Sequence, residues 1–402
     1  MAHVLFVGGG DPSKLSAYRT CIRKGYRITV IDQGESHNTR LANEVLFFNP
    51  RDLTEQNVEK IWRAVKKTND DHKIQAIIPL SEFTVELSAE LNERLQLKGL
   101  RYCVSKYARN KFIMRQQFKK FGLFTPNFKM VATEEEAIYE AEDIGYPCIL
   151  KPIDYAGSAG VSRCTNPEEI KRAFQLAKAF RRDSPVIIES YISGKEISIE
   201  AVLSEGEICF FSITEKFKLE GDSFIEMGHI SPYTLPLDKV ELIKKTTEMA
   251  VRAIGLRDGA THTEIIFDDE KVFVVEIGAR LGGDYIPDLV ELAHGVNLYE
   301  LWIESIVEKL DAISYFIPEK YAAIQFVFCD KGKVLSISEI ESISKVSGVS
   351  IIDANNYFQI GQLVPVFNSN FDRGPFMMIQ SKSREKLINQ MNVIKDEFKI
   401  QV

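Results

Sequence analysis

The chain has 402 residues, 45% of them hydrophobic and 27% charged, with 50 lysines and arginines against 57 aspartates and glutamates. That length allows two to four domains whose cores need no disulfide or metal staple. The formal charge of −7 argues against a general nucleic-acid binder, which needs a basic surface, and no apolar run approaches the ~20 residues that cross a bilayer.

The first hundred residues alternate between strand and helix periods. HVLFVGG reads as a buried strand and Lys14 to Lys24 as a helix. YRITVID and EVLFFNP read as strands, Thr54 to Thr68 as a helix, KIQAIIPL as a fourth strand and Glu82 to Leu97 as another helix. Such alternation predicts βαβ units on a parallel sheet, with ligands gathering at the carboxyl ends of the strands. The Gly8-Gly9-Gly10 turn and the Ser81-Glu82 pair fall there. The triplet does not complete a dinucleotide motif, because position 13 is Ser13, so a tight turn is expected even though Asp32 closes the second strand. The short apolar N-terminal run, broken at once by glycines, reads as too short for a signal peptide, and a cytoplasmic protein is expected.

Residues 105–122 read as one helix ending at a glycine, TPNF as a turn, and 133–144 as a helix with an acidic first turn. The strand CILKP leads into the loop DYAGSAGVS. A helix from Asn166 to Phe180 and the strand PVIIESYI follow. ISIEAVL and EICFFSITEKF are strands, 220–236 has no clear period, and 238–254 is a helix. A hairpin over 261–277 and a helix over 284–308 come next. Residues 317–402 form a smaller α+β segment, with strands YAAIQFVFC and PFMMIQS and a helix from Arg384 to Glu397. The six cysteines form no Cys-x-x-Cys pair, several lie in apolar runs, and they read as reduced core thiols.

Four features carry chemistry. Lys111 and Lys151 stand where a cation faces a nucleotide. Lys151 ends its strand just before Ala156–Val161, where Gly157, Ser158 and Gly160 leave backbone amides open to phosphate oxygens. Residues 189–192 (Glu189, Ser190, Tyr191, Ile192) suit an adenine hinge, with Glu196 placed for ribose hydroxyls. The hairpin THTEIIFDDEKVFVVEIGAR, with a loop of three or five residues, puts Glu264 and Glu276 on one face beside Ile266, Val272 and Val274. Two carboxylates on a mostly apolar face call for a cation, and Mg²⁺ shared with phosphates fits. Arg280 then rises from a glycine-rich stretch, suited to a phosphoryl group or oxyanion. His262 shares the face of Glu264 and reads as structural. His229, isolated in an irregular segment, reads as a surface residue from its context alone.

Lysines, small-residue loop, hinge, two carboxylates and arginine, in that order over roughly residues 1–310, resemble the ATP-grasp superfamily. IEMGHISPYTLP followed by EIGARLGG is similar to its L-amino acid ligase branch. The resemblance implies an α/β ATP-grasp fold divided into a Rossmann-like domain (1–105), a linker helix and mobile lid (106–190), a catalytic domain (191–312) and an α+β subdomain (313–402). It implies ATP as a substrate, held by Lys111, Lys151, the 156–161 loop, residues 189–192, Glu196 and Lys216. Glu264 and Glu276 would hold two Mg²⁺ ions, replaceable by Mn²⁺. Gly278 stands where many relatives carry an asparagine ligand, so the second ion has one ligand fewer. Arg280, Glu226 and His229 would serve catalysis and the amino acid pocket, together with Glu82, Gly283 and Asp284; a polar Asp284 points to a polar or larger substrate. The implied reaction joins an amino acid, activated as its acyl-phosphate, to a second amino acid or amine, releasing ADP and phosphate. The partners implied are small molecules rather than nucleic acid or membrane, and a second copy in a homodimer. A bicarbonate-activating, biotin-carboxylase-like enzyme is the alternative, and a nucleotide sensor or dehydrogenase a more distant one.

Overall fold

The computed structural model describes residues 2–402 except 220, 222, 314, 317, 348–350, 356 and the side chains of 344–347. Parts of the segments read above as 220–236 and 317–402 therefore lie outside the described residues. Strands β1 (His3–Val7), β2 (Arg27–Asp32), β3 (Glu44–Phe47) and β4 (Ala76–Pro79) form a parallel sheet in the order β3-β2-β1-β4. Helices α1 (Leu15–Arg23), α2 (Glu55–Asp71) and α3 (Val85–Arg94) complete the alternating units. β1 is buried throughout, as a strand covered on both faces must be. The Gly8–Gly10 turn leaves its carboxyl end. There the Gly10 N–H donates to Asp32 at 2.9 Å, so Asp32 holds the turn.

The helix expected over 105–122 is two helices, α4 (Tyr102–Arg109) and α5 (Lys111–Lys120), broken at Asn110. Asn110 is extended, and its side chain accepts from the Ile113 N–H; asparagine prefers such a cap to a helix interior. The TPNF segment runs straight into β5 (Phe128–Val131). With β6 (Cys148–Pro152), β7 (Ser162–Cys164) and β8 (Val186–Ser190) it makes an antiparallel sheet, ordered β5-β8-β6-β7. Helices α6 (Glu134–Ile144) and α7 (Pro167–Phe180) cover it.

The largest sheet has eight strands. It begins with β9 (Lys195–Ser204), β10 (Glu207–Lys218), β11 (Glu226–Ser231), β12 (Gly259–Phe267), β13 (Val272–Gly278) and β14 (Tyr321–Phe326), and adds strands Phe376–Ser381 and Ile351–Asn355. One continuous sheet thus crosses position 312. β11 lies in the segment without visible period; all six of its residues are buried, so no polar–apolar alternation marks it. Helix α8 (Leu237–Ile254) packs on the sheet, and the helix expected over 284–308 is split into α9 (Ile286–His294) and α10 (Leu298–Val307). Gly295, at φ 70°, ends α9 in the left-handed conformation that glycine adopts without a Cβ penalty. Five cysteines are buried and free, whereas Cys103 is exposed, in contrast to the core position expected of it. No helix among the described residues is long and apolar enough to cross a membrane.

Candidate functional site

The three sheets meet around a cleft of about 1300 Å³. Its walls include the Gly8–Lys14 turn, Ser81–Glu82, Lys111, Lys151, the 155–161 loop, 189–192, Glu196, the β12–β13 hairpin, Arg280 and Gly283–Tyr285. Most of the residues singled out from the sequence therefore converge. Three of them do not line it: Gly160, Lys216 and His229.

The hairpin places Glu264 directly opposite Glu276, and both carboxylates face the cleft. The route differs from the expected one. Phe267 pairs with Val272 around a four-residue loop, and the register then slips by one between Glu264 and Ile265. This bulge at Val275 restores Glu264 to Glu276 but turns Val272 and Val274 into the core with Ile265, away from the carboxylate face. A bulge frees backbone carbonyls, and a residue that sequence reasoning missed satisfies them: Arg115, almost wholly buried, donates to the Val274 and Val275 carbonyls at 3.1 and 2.7 Å.

Seven carboxylates of the cleft, those of Glu82, Glu189, Glu196, Glu226, Glu264, Glu276 and Asp284, are each met by a cation. Arg115 also donates to Glu189 at 2.6 Å, and Lys151 lies 2.7 Å from the other oxygen. Burial alone would push Glu189 up, but these two cations outweigh it and hold the carboxyl at about 2. Lys151 in turn is lowered, chiefly by burial. Asn110 sets Lys111 in the first turn of α5, from which its ammonium reaches the Tyr155 carbonyl at 2.6 Å and Glu276 at 3.1 Å. Lys216 is sealed beneath the floor of the cleft between Glu196 (3.0 Å), Glu226 (2.5 Å) and Glu264 (3.0 Å). Burial opposes its charge, but the three acids raise it well above the ordinary lysine value. Lys218 takes the second oxygen of Glu196 at 2.5 Å.

Glu82 accepts from Arg280 at 2.7 Å and from Arg109 at 3.0 Å. Its burial is outweighed by these guanidiniums, and the carboxyl sits at about 2. A Cβ on Gly278 would come within 3.2 Å of Glu82 Oε2, so the carboxylate of Glu82 occupies the space a side chain at 278 would need. His262 pairs through Nδ1 with the buried Glu200, and its Nε2 lies 3.6 Å from Glu264. Burial disfavours the charged ring, but Glu200 and Glu264 prevail and raise it to about 9. Glu200 also accepts from the Gly282 N–H at 2.8 Å.

The small-residue loop has Gly157, Ser158 and Gly160 at φ 70°, 57° and 74°. Gly160 is turned away from the cleft, and a Cβ there would press on the Ala177 backbone of α7 at 3.1 Å. Gly157 lies under the ring of Phe371, 2.7 Å from where its Cβ would stand, and its carbonyl accepts from the Asn370 N–H at 2.9 Å. The same Asn370 accepts through its side chain from the Glu226 N–H at 3.0 Å.

His229 is wholly buried in β11, contrary to the surface position its context suggested, because β11 is an interior strand of the large sheet. Its Nε2 lies 3.1 Å from Asp284. Asp284 is also gripped by both terminal nitrogens of Arg373, at 2.5 and 2.8 Å. Burial is outweighed by Arg373, which holds Asp284 well below the usual carboxylate range. Asp284 is therefore already neutralised. Glu226, His229 and Asp284 bring ligand atoms within 4.8 Å of one another, yet Lys216 and Arg373 already balance both acids, so the cluster is a charge network. Arg373 has no local motif and was not legible in the sequence.

Residues 144–288 match the ATP-grasp domain family model. The match spans about a third of the chain, and the chain has the α/β ATP-grasp fold. It is 29% identical over 278 residues to an alanine–anticapsin ligase of Bacillus subtilis (strain 168), across 63% of this chain and 58% of that protein. It is 24% identical over 305 residues to dapdiamide A synthase of Enterobacter agglomerans, across 73% and 72% of the two chains. The crystal structure of an L-amino acid ligase from Bacillus licheniformis superposes with a TM-score of 0.84 at 22% identity, covering 100% of this chain and 98% of that one. The chain thus spans under three-fifths of the length of the first curated relative it matches.

Proposed function

We propose that this protein is an ADP-forming ligase that joins the carboxylate of one L-amino acid to the amine of a second substrate at the expense of ATP. The observation that carries the reading is the Glu264–Glu276 pair, opposed across the hairpin on the wall that also presents Lys111. Amino acid ligation is preferred to bicarbonate activation because the named sequence relatives are an alanine–anticapsin ligase and a dapdiamide synthase. We further propose working units at 1–105, 106–190, 191–312 and 313–402, with 156–161 as the loop that closes over the triphosphate.

Two oxygen-only acids on one face, each now held by a lysine, are the donors Mg²⁺ prefers. Two Mg²⁺, replaceable by Mn²⁺, are the proposed complement; Gly278 adds no ligand, so phosphate oxygens and water would supply the rest. Glu264 and Glu276 would hold the metal, which when bound would supply charge neutralisation of the triphosphate. Lys111 and Lys151 hold phosphate oxygens, while the backbone of 190–192 and Glu196 seat the base and ribose. Arg280, fixed by Glu82, neutralises the substrate carboxylate as its oxygen attacks the γ-phosphorus. The new O–P bond forms, the bridge to the β-phosphate breaks, and ADP leaves. The amine nitrogen then attacks the acyl carbon, a C–N bond forms, phosphate departs, and the nitrogen gives up a proton. Glu82, at about 2, is too weak a base for that proton; Glu226, which lines the cleft, is the group proposed to orient the ammonium and receive it. His229 acts from behind, by positioning Asp284 and Glu226.

The test is ADP and phosphate release from MgATP with pairs of L-amino acids. Glu276→Ala is expected to abolish turnover. Full activity in that variant, or release of AMP and pyrophosphate, refutes the scheme.

A further inference from the structure

The cations around the cleft differ in one respect. Lys111, Lys151, Lys216, Arg109, Arg115, Arg280 and Arg373 each hold a carboxylate. Lys14 does not. It closes the short 3-10 turn Pro12–Lys14 that follows the Gly8–Gly10 turn, is 8% exposed, and lines the cleft. The one hydrogen bond of its ammonium among the described residues is a long one, 3.4 Å, to the Gly282 carbonyl. Three acids stand in its field: Asp11, Asp284 and Asp288. None of them reaches it. Asp11 accepts from the Ser13 N–H, Asp284 belongs to Arg373, and Asp288 meets Ser16 at 3.5 Å.

A buried ammonium without a counter-ion is costly, and the cost is recovered when an anion arrives. The position of Lys14 narrows which anion. The groups proposed for the triphosphate (Lys111, Lys151, the 156–161 loop, Glu264 and Glu276) lie on the lid and the hairpin. Lys14 comes instead from the parallel-sheet domain and meets the Arg280–Asp284 turn at Gly282. An anion bound there adjoins the Arg280–Asp284 turn, proposed above to serve the amino acid substrates, and Arg280 already takes the carboxylate of the acyl donor, which leaves Lys14 the carboxylate of the second substrate.

We propose that Lys14 is the residue that selects an amino acid over a simple amine as the second substrate, by binding its free carboxylate. The inference rests on the ligase reading above and deepens it. It assigns Lys14 to substrate binding, with its ammonium as the carboxylate's partner. The product then keeps a free carboxylate, as a dipeptide does. Burial lowers the affinity of Lys14 for its proton in the empty site, and the bound carboxylate stabilises the charged form.

The experiment uses the full chain in two arms. The first measures ADP release with MgATP and L-alanine as the acyl donor, comparing L-alanine, L-alaninamide and ethylamine as acceptors. Wild type should use the carboxylate-bearing acceptor at least 100-fold better in kcat/KM. Lys14→Met should raise the KM for that acceptor 10- to 100-fold, leave the KM for ATP unchanged, and erase the preference over the amide; Lys14→Arg should restore part of it. The unchanged KM for ATP also reports that Lys14→Met is folded. Equal use of ethylamine by the wild type, or an unaltered acceptor KM in Lys14→Met, overturns the proposal while leaving the ligase reading intact. The second arm measures binding of L-alanine, L-phenylalanine and L-glutamate to the Mg-ADP-loaded protein by calorimetry, without turnover. Binding to wild type that Lys14→Met weakens at least 10-fold supports the site even where no ligation is seen, a result that would count against the ligase reading alone. Absence of binding to the wild type in both arms overturns it.

Discussion

Replacing Arg373 with methionine removes a guanidinium while keeping most of its apolar stem. In the wild type that group makes two charge-assisted bonds to Asp284, at 2.5 and 2.8 Å, and donates to the carbonyls of Glu226 and Asn370, each at 2.8 Å. Breaking one side of a buried pair costs about 3–5 kcal/mol, because the partner charge is stranded. Asp284 retains His229 at 3.1 Å, and its side chain is 20% exposed, so water and the imidazole recover part of that. The expected loss is therefore near the lower end, about 3 kcal/mol. Asp284→Asn in the same background removes the stranded charge and should recover at least about 1.5 kcal/mol, a coupling of the size expected within one network. Urea unfolding followed by circular dichroism, on wild type, both single variants and the double variant, measures this cycle. Because Arg373 also ties 370 and 226 together, Arg373→Met should raise the KM for amino acids more than that for ATP. A single variant within about 0.5 kcal/mol of wild type, or strictly additive effects, refutes the pairing as the bond that fixes the 282–285 turn.

Two further outcomes follow from the same geometry. Glu82 titrates at about 2 when folded against 4.5 when unfolded, so its contribution is present above pH 4.5 and is lost as pH falls toward 2. The difference amounts to about 3 kcal/mol at neutral pH, and Glu82→Gln should flatten the acid limb of the unfolding free energy measured by urea titration by that amount; an unchanged limb refutes the ion-pair account. A Cβ at Gly282 would lie 2.8 Å from Glu200 Oε1 and 2.9 Å from His262 Nδ1, whereas one at Gly283 meets nothing within 4 Å. Gly282→Ala is therefore expected to destabilise the protein by about 1–3 kcal/mol, with Gly283→Ala close to neutral in the same thermal or urea titration.

Local pattern was enough where the deciding physics is local. Strand and helix periods in the first hundred residues announced the parallel sheet, and β1, β2 and β4 lie where the apolar runs are. The hairpin was legible because two strands joined by a few residues must pair, and Glu264 met Glu276 as expected. What failed was also local, but silent. Asn110 broke a helix whose apolar period continues through it, and β11 showed no alternation because both of its faces are covered. Bulge, loop length and register compensated one another, so the carboxylates met although the face assignment of Val272 and Val274 did not hold.

The chain's own order of residues determined which groups carry charge and which can approach a phosphate. Tertiary structure alone decided their partners. Arg115 meets Glu189 across 74 positions, Arg280 meets Glu82 across 198, Arg373 meets Asp284 across 89, and Lys14 meets Gly282 across 268. Sequence spacing carries no signal at such separations. A buried charge takes whatever partner the packing of the sheets brings within reach, and that proximity, rather than residue type, separates a paired cation from one still open to a substrate.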